Sequence, residues 1–492
     1  MNRTRWALMS LVLPGLFIVA GCNGNEMAAD GGGWDVGVDP HFIYDDQGRV
    51  LILHGANVTG SAKGDPLRMP WITKDDAMRL SRDWGFNFAR YLILWDGLEA
   101  QQGVYDQAYL DRIKERLDWL WAAGIYVMLD MHQDVWSVHT CGDGAPQWAV
   151  RSDGLEIQCP QQWFLGYFQP GVARCFDNFW NYQDPNADLQ DHYATAWTTI
   201  AARFRDHPAV IGYDIINEPH PGSMVDALEL LGVEHPDTPS PEFDRKKLGP
   251  FYQRMIDRIR QVDAGKWIFY EPRYGAPGDG LPSYMNQLVD PRPGGRRLAY
   301  SPHLYSLQVE SSQAYDPATD QTIPKWEQRR RQEMGKLDSA LVIGEWGTVQ
   351  TYTNALGHFR DVANMADRMM AGWAYWTYDP GGFGFINGDG SEREGARELV
   401  RVYPQRIAGT PRSFAYDPAT RVFRLEFAGN PAVTAPTEIY IPARRFYPNG
   451  WDLTVKTDAK SWSKSWDETR EVVSVTISPP AGTCIIEVKP KE

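Results

Sequence analysis

Two glutamates in this sequence stand where they could do chemistry. Glu218 lies in the segment 217–219 (Asn-Glu-Pro), and Glu345 lies in the segment 344–347 (Gly-Glu-Trp-Gly). Each follows an apolar run, and a carboxylate buried there is costly unless it is paired or hydrogen-bonded. Two carboxylates facing one mouth can cleave a glycosidic bond, because one protonates the leaving oxygen while the other attacks or activates water. A structural ion pair is the alternative for either glutamate alone.

Other polar residues also stand at the ends of apolar runs. They are Arg90, His132, Gln133, Asp134, Asn217, His303, Tyr305 and Trp376. Packing alone does not explain polar side chains gathered at one end of apolar strands, so we expect them to share the site of the two glutamates.

Eight apolar runs must position these residues. They span 50–58, 86–93, 126–132, 210–219, 267–273, 298–305, 340–347 and 371–379. Amphipathic stretches at 109–123, 189–205 and 251–263 separate some of them. Apolar strands alternating with helices indicate a covered parallel sheet, and eight such units predict a (β/α)8 TIM barrel, whose active site forms at the carboxyl ends of the strands. A doubly wound open sheet is the alternative, but no Gly-rich phosphate turn follows the first run.

The remainder of the chain has a different pattern. Short alternating segments at 422–427, 437–441, 451–455, 471–477 and 484–488 are separated by turn residues, which predicts a small antiparallel β-sandwich. We therefore assign 36–407 to the catalytic barrel and 408–492 to the sandwich, with a hinge at 404–411.

The N-terminal segment is typical of an export signal. Arg3 and Arg5 precede an apolar run at 6–20, and Cys22 follows small residues. This predicts a lipoprotein-type signal peptide over 1–22, with Cys22 lipidated, and a flexible tether over 23–35. An ordinary signal peptide with a chance cysteine is the alternative. The expected location is the bacterial cell envelope, or outside the cell if the protein is secreted.

Four further cysteines remain, and an oxidising compartment would allow disulfides between them. Cys141 and Cys159 are the favoured pair, because both lie in one loop region that carries Gly and Pro. Their spacing does not resemble a zinc site. The chain of 492 residues has a net charge of −14, which disfavours nucleic acid as a partner, and its 20 Trp residues are either core or platforms for sugars or apolar chains.

Several segments together resemble one enzyme family. They are Ser61-Ala62-Lys63, Asp130-Met131-His132-Gln133-Asp134-Val135, Gln169-Pro170-Gly171-Val172, Phe176-Asp177-Asn178-Phe179-Trp180, Pro302-His303-Leu304-Tyr305, Tyr375-Trp376 and 435–440. With Asn217-Glu218-Pro219 and Glu345, they are similar to the retaining glycoside hydrolases of family 5. Within that family, the resemblance is to the endoglycoceramidase-like branch, which includes glucosylceramidases and steryl glucosidases.

The resemblance implies roles for the site residues. Glu218 would be the general acid/base, with a raised pKa, and Glu345 the nucleophile. Arg90 and Tyr305 would donate hydrogen bonds to Glu345, Asn217 would hold the 2-hydroxyl of the reacting sugar, and His303 would lie close to the glutamates.

Further residues resemble the sugar-binding set of the family. Lys63, Asp134 and Trp180 would contact the glycan, and Trp376 would form the platform beneath the reacting sugar. His132 would hydrogen-bond a sugar hydroxyl or support Asp134. The alternatives are a satisfied core histidine for His132 and simple packing for Trp180.

The substrate implied by the resemblance is a glycosphingolipid, cleaved between glycan and ceramide to release intact oligosaccharide. Candidates for an apolar groove that takes the lipid are Trp71 with Ile72, and the segments 224–231 and 383–386. The alternatives are an exo-acting β-glucosidase on glucosylceramide or steryl glucoside, and a non-catalytic carbohydrate-binding surface lipoprotein. No cofactor or metal is needed, and we expect a monomer that associates with membranes through a lipid anchor.

Overall fold

A computed structural model describes residues 39–58, 60–183, 185–230 and 240–492. The predicted signal peptide, the tether and Cys22 lie outside the described residues. In the described part of the chain, no helix combines the length and apolar character needed to cross a membrane.

Eight parallel strands close into a barrel, as the eight apolar runs predict. In barrel order they are His54–Val58, Phe88–Leu94, Tyr126–His132, Val210–Asp214, Trp267–Tyr270, Leu298–Tyr300, Ala340–Trp346 and Gly372–Tyr375. We call them barrel strands one to eight. Their side chains are almost entirely buried, because helices cover the outside of the sheet while side chains fill the inside.

Helices follow most of the barrel strands. The α-helices are Lys74–Trp84, Trp95–Leu98, Gln107–Ala122, Pro170–Trp180, Ala187–Phe204, Ala227–Leu230, Ser240–Phe243, Gly249–Arg260, Leu307–Ser312, Thr322–Leu337, Ala355–Met369, Glu394–Leu399 and Ala443–Phe446. A π-helical turn, Asp244–Leu248, precedes Gly249–Arg260. The short 3-10 helices are Gly60–Lys63, Val138–Thr140, Gln147–Ala149, Trp163–Phe168, Gly222–Met224 and Ala276–Asp279. The local sequence sets both ends of helix Lys74–Trp84: the Thr73 side chain caps its start, and Gly85, at φ 70°, ends it.

Two antiparallel sheets form the C-terminal sandwich. The first runs in the order Ile43–Tyr44, Val50–Leu51, Tyr403–Ile407, Thr437–Tyr440, Val472–Ser478 and Ser461–Asp467. The second runs in the order Gly409–Asp417, Val422–Gly429, Gly482–Pro490 and Trp451–Lys456.

The first sheet corrects two expectations from the sequence. Residues 43–51 were expected within the barrel segment, but they form a hairpin whose second strand pairs with Tyr403–Ile407. The segment 404–411 was expected to be a hinge, yet Pro404 lies in that strand, which pairs in turn with Thr437–Tyr440. The reason is that the apolar run 50–58 covers two strands, of which only His54–Val58 belongs to the barrel.

The long loop after barrel strand three is closed by a disulfide. Cys141 and Cys159, the pair that the sequence favours, are bonded, and Cys175 and Cys484 are free and buried. The loop returns to the strand end, where the Asp143 backbone N–H donates to the Asp134 carbonyl at 2.8 Å. It therefore forms one wall of the mouth in which the candidate site lies.

Candidate active site

Arg90, on barrel strand two, lies at the centre of the polar cluster in the barrel. Its side chain is fully buried and points among four carboxylates. The Nε atom donates to Asp214 at 2.9 Å, and Nη2 reaches Glu271 at 2.9 Å and Asp130 at 3.0 Å. Although burial opposes the charge, these carboxylates raise the pKa of Arg90 well above its ordinary value. Arg90 is therefore a fixed cation inside the barrel.

Glu345 is held by two donors at the end of barrel strand seven. Arg90 Nη1 donates to Oε1 at 2.6 Å, and the Tyr305 hydroxyl donates to Oε2 at 2.9 Å. These are the donors that the sequence analysis expects. With both oxygens fixed, the carboxylate has a single orientation, and its charge is balanced by Arg90.

Glu218 lies beyond the end of barrel strand four in a different setting. Its backbone has a φ of 41°, in the left-handed region that is uncommon for a residue with a side chain. Its Oε1 accepts a hydrogen bond from His303 Nδ1 at 2.9 Å. Burial raises the pKa of Glu218 above its ordinary value, and the opposing effect of His303 does not cancel this. The carboxyl is thus suited to hold a proton and release it.

The two glutamates face the same space. One carboxylate oxygen of Glu218, one of Glu345 and one ring nitrogen of His303 all lie within 4.8 Å of one another. His303 Nδ1 is 3.7 Å from Glu345 Oε2, so His303 lies between the two acids. Retaining glycosidases place their carboxyl groups about 5–5.5 Å apart, whereas inverting enzymes need about 6.5–9.5 Å. The spacing fits the retaining arrangement.

Asn217 is oriented by the same network. Its side-chain oxygen accepts from Arg90 Nη2 at 2.8 Å, and its amide nitrogen donates to the Gln133 carbonyl at 3.0 Å. Gln133 in turn donates to the backbone carbonyls of Asn217 and Glu218. The ends of barrel strands three and four are therefore tied together directly beneath Glu218.

A second polar group lies beside the first. His132 Nδ1 is 2.7 Å from Asp130, and its Nε2 is 3.5 Å from Asp134. Although burial opposes protonation, these carboxylates raise the pKa of His132 to about 9. Lys63 pairs with Asp134 and lies 4.8 Å from the ring centroid of Trp376. The structure thus brings four of the expected sugar-binding residues, His132, Asp134, Lys63 and Trp376, into contact with one another.

Trp376 is placed to serve as a platform. Its ring is partly exposed, and it stacks on His132 with ring centroids 5.7 Å apart and planes 13° apart. Because His132 supports one face of the ring, the remaining exposed surface has a defined orientation toward the mouth.

Trp180, which the sequence expects to contact the glycan, is packed among aromatic side chains. It is only 3% exposed, and its ring makes edge contacts with Phe179, Phe243 and Phe251 at centroid distances of 5.0–5.4 Å. Its indole N–H donates to the His220 carbonyl at 2.7 Å. These contacts are those of a packing residue that anchors the loop after Glu218, which is the alternative raised by the sequence.

Glu271 is a further residue of the site that was not predicted from the sequence. This buried residue follows barrel strand five; its Oε2 accepts the backbone N–H of Glu218 at 2.8 Å, and its Oε1 binds Arg90. His303 Nε2 lies 3.3 Å from Oε1. The sequence does contain a signal for Glu271, because this residue lies near the end of the apolar run 267–273, as Glu218 and Glu345 lie near the ends of theirs. Asp143, buried beside Lys63 at 3.9 Å, was missed as well because it lies in a loop.

In two of the three acidic clusters described at the site, every carboxylate contacts Arg90 or Lys63. Among the described residues, three groups of His, Asp and Glu are close enough to hold a metal ion. Arg90 lies against Asp130, Asp214 and Glu271, and Lys63 lies against Asp134 and Asp143. The third group is Glu218, His303 and Glu345.

The three candidate lipid contacts differ in exposure. Trp71 is 40% exposed, but the adjacent Ile72 is buried. In the segment 383–386, Phe385 and Ile386 are buried and Phe383 is half-buried. Met224 is half-buried, and the last residue of 224–231 lies outside the described residues. The segment 383–386 therefore consists mostly of loop core.

Family models match both parts of the chain. Residues 48–382 match the cellulase (glycosyl hydrolase family 5) model, and residues 401–488 match the glycoside hydrolase family 5 C-terminal domain. The chain belongs to glycoside hydrolase family 5. It is therefore a glycoside hydrolase, and it falls in the endoglycoceramidase-like branch of that family.

Two relatives that cover most of the chain are endoglycoceramidases. Endo-glycoceramidase II from a Rhodococcus species, solved as a complex with ganglioside GM3, has a TM-score of 0.84 and 37% identity, covering 92% of this chain and 100% of the other. Endoglycoceramidase I of Rhodococcus hoagii is 29% identical over 85% of this chain and 81% of its own length. A glucosylceramidase of Rhizopus delemar is 28% identical over 41% of this chain and 37% of its own length.

The contacts of Glu271 predict that it positions the acid Glu218 without touching substrate. We expect Glu271→Gln to lower kcat/KM on aryl glycosides with poor leaving groups by about 10–100-fold, because a misplaced acid transfers its proton less efficiently. The loss should be smaller with dinitrophenyl glycosides, because their dinitrophenolate group leaves without being protonated. Glu333→Gln is the matched control, since Glu333 is a buried carboxylate that binds Arg330 and Tyr300 instead. An equal loss with both leaving groups would contradict the positioning role.

Proposed function

We propose that this enzyme cleaves the β-glycosidic bond between glycan and ceramide in glycosphingolipids, releasing intact oligosaccharide and ceramide. Glu345 is the nucleophile and Glu218 is the acid/base of a double displacement. The observation that carries the mechanism is the placement of these two carboxyl groups within 4.8 Å, one bound to Arg90 and the other surrounded by burial and His303.

In the first step, Glu218 gives its proton to the glycosidic oxygen while Glu345 attacks the anomeric carbon. The bond to the lipid alcohol breaks, and a glycosyl–Glu345 ester forms. Burial keeps Glu218 protonated at higher pH than an ordinary glutamate. Arg90 and Tyr305 hold the two oxygens of Glu345, so that one of them is aimed at the sugar.

In the second step, Glu218 has become a carboxylate and removes a proton from water. The water oxygen attacks the anomeric carbon, the ester to Glu345 breaks, and the sugar leaves with its anomeric configuration retained. The amide group of Asn217, held by Arg90, is available to the 2-hydroxyl of the reacting sugar. Lys63, Asp134, His132 and Trp376 form the remaining polar and aromatic surface for the glycan.

Similarity and the site together support the proposed substrate class. The Rhodococcus enzyme that covers 92% of this chain is an endo-glycoceramidase, and its structure was solved with ganglioside GM3. An exo-acting β-glucosidase on glucosylceramide or steryl glucoside is the second candidate. It is favoured by the similarity to the Rhizopus glucosylceramidase, although that similarity extends over less than half of this chain.

Substitution of each glutamate should separate their roles. We expect Glu345→Gln to lower turnover of aryl β-glycosides by about 10⁴-fold or more, because no glycosyl-enzyme can form. Glu218→Gln should lower kcat/KM by about 10²–10⁴-fold on poor leaving groups and much less on dinitrophenyl glycosides. It should also remove the basic limb of the pH profile, since that limb reports loss of the Glu218 proton. Turnover retained in Glu345→Gln would refute the nucleophile assignment.

The released products distinguish the two candidate functions. We expect mass spectrometry of wild-type digests of GM3, lactosylceramide and glucosylceramide to show intact oligosaccharide and free ceramide from the longer glycolipids. Steryl glucoside completes the panel, and Glu345→Gln provides the blank. Release of glucose only, from glucosylceramide or steryl glucoside, would replace the proposal with the exo-glucosidase.

We also propose that the protein is exported and tethered through a lipid on Cys22. Support comes from the basic residues, the apolar run 6–20 and the small residues before Cys22. An anchor would concentrate the enzyme at the surface where its substrate lies. Wild-type protein labelled with palmitate in cells should enter the detergent phase, and Cys22→Ala should not. Equal labelling of the two would contradict the tether.

A further inference from the structure

Trp71 is an exposed tryptophan held in a fixed orientation. Its ring stacks on Tyr378 with centroids 5.2 Å apart and planes 21° apart, and its indole N–H donates to Asp379 Oδ1 at 2.6 Å. Tyr378 is itself buried and donates to Asp76 at 2.7 Å. The ring therefore has one supported face, while 40% of the residue remains open to solvent.

Asp379 fixes more than the indole. Its second oxygen accepts the backbone N–H of Gly60 at 3.1 Å and lies 3.3 Å from the Thr377 hydroxyl. These contacts join the segment after barrel strand one to the segment after barrel strand eight. A surface that is ordered before any ligand arrives loses little conformational entropy on binding.

A groove of about 490 Å³ lies beside this ring. Its walls include Trp71, Gly60, Asp379, Pro380, Ile386 and Asn387. The volume lies within the range of about 300–1,000 Å³ that is typical of small-molecule sites. The lining combines an aromatic ring with a carboxylate and an amide, which suits a pyranose. A lipid chain would cover the Asp379 carboxylate and the Asn387 amide without adding a hydrogen bond to those that Asp379 already accepts from Trp71 and Gly60.

The groove adjoins the reacting-sugar platform. A methyl group placed on Gly60 would stand 3.2 Å from Asp379 Oδ2 and 3.8 Å from Trp376 Cζ2. Lys63, at the end of the same 3-10 helix, lies over the Trp376 ring. Gly60 therefore lies between Trp376 and the groove, so a glycan on Trp376 that extends past Gly60 would enter the groove.

The position of the acid decides which end of the substrate enters. Glu218 must face the leaving group, and it follows barrel strand four. The groove follows barrel strands eight and one, and strands four and eight are opposite in the closed ring. The groove consequently lies on the glycan side of the scissile bond, away from the lipid.

We propose that this groove is a subsite for a glycan sugar beyond the reacting one, with a pyranose stacked on the face of Trp71 opposite Tyr378 and its hydroxyls near Asp379 and Asn387. This assigns Trp71 to sugar instead of the lipid contact considered from the sequence. The proposal rests on the proposed function for the orientation of the substrate. On this proposal, the groove determines how strongly the enzyme prefers substrates with longer glycans.

The test is to compare Trp71→Ala with wild type on aryl β-glycosides that carry one, two or three sugars. On the one-sugar substrate, we expect kcat/KM to stay within about twofold. It should fall about tenfold once the glycan is long enough to reach the groove, in keeping with loss of one aromatic contact. Trp71→Phe should recover most of the loss. Trp462→Ala is the matched control, because Trp462 is also 40% exposed but lies on strand Ser461–Asp467 of the C-terminal sandwich.

The outcomes are separable from those of the proposed function. The same variants are assayed on glycosides with one glycan and either an aryl or a ceramide aglycone. A loss that appears only with ceramide would reassign Trp71 to the lipid, and an equal loss at every glycan length, or none, would overturn the subsite. Wild-type enzyme that cleaves the aryl glycosides but no ceramide glycoside would refute the proposed substrate while leaving the glycan-length test intact.

Discussion

The site depends on one buried cation. Arg90 makes ion pairs with Asp130, Asp214, Glu271 and Glu345, and all of these side chains are nearly inaccessible to solvent. Without the guanidinium, that concentration of negative charge could not remain ionised inside a barrel. The four carboxylates are not equivalent, since burial and the nearby Glu271 raise the pKa of Asp214 well above its ordinary value. Arg90 is thus a single cation that all four carboxylates contact.

The division of labour between the two glutamates follows from their relation to this cation. Glu345 contacts Arg90 directly and accepts a second hydrogen bond from Tyr305, whereas Glu218 is bound by His303 at the edge of the network. Burial opposes the charge of His303, but Glu271 and Glu345 raise its pKa well above the ordinary value. A protonated His303 can donate to Glu218 after the acid has released its proton. The His303 imidazole can therefore stabilise the Glu218 carboxylate in the second step, while burial keeps the pKa of Glu218 raised for the first.

The sequence predicted the barrel because its signal is repeated eight times, and it predicted Glu218 and Glu345 because both end apolar strands. Other features depend on contacts that periodicity does not report. Glu271 acts by accepting the backbone N–H of Glu218, a contact that exists only once strands four and five are neighbours. Strand Ser461–Asp467 was missed because both of its faces are exposed, which removes the alternation that marks a strand. On sequence alone, Trp180 could contact the glycan or pack in the core, and its aromatic neighbours favour the core.

Different parts of the fold hold the catalytic groups and form the surfaces that would select the substrate. The hydrogen bonds that orient Glu345 and the Glu218 backbone come mostly from strands and strand ends, where packing leaves little freedom. The surfaces that would meet glycan and lipid come from loops, such as the segment that carries Trp71 and the disulfide-closed loop after strand three. A loop can change without disturbing Arg90, because only a few residues, such as Lys63 and Gln133, connect the loops to the polar network around Arg90. This explains physically how one pair of glutamates can serve enzymes that differ in glycan length and aglycone.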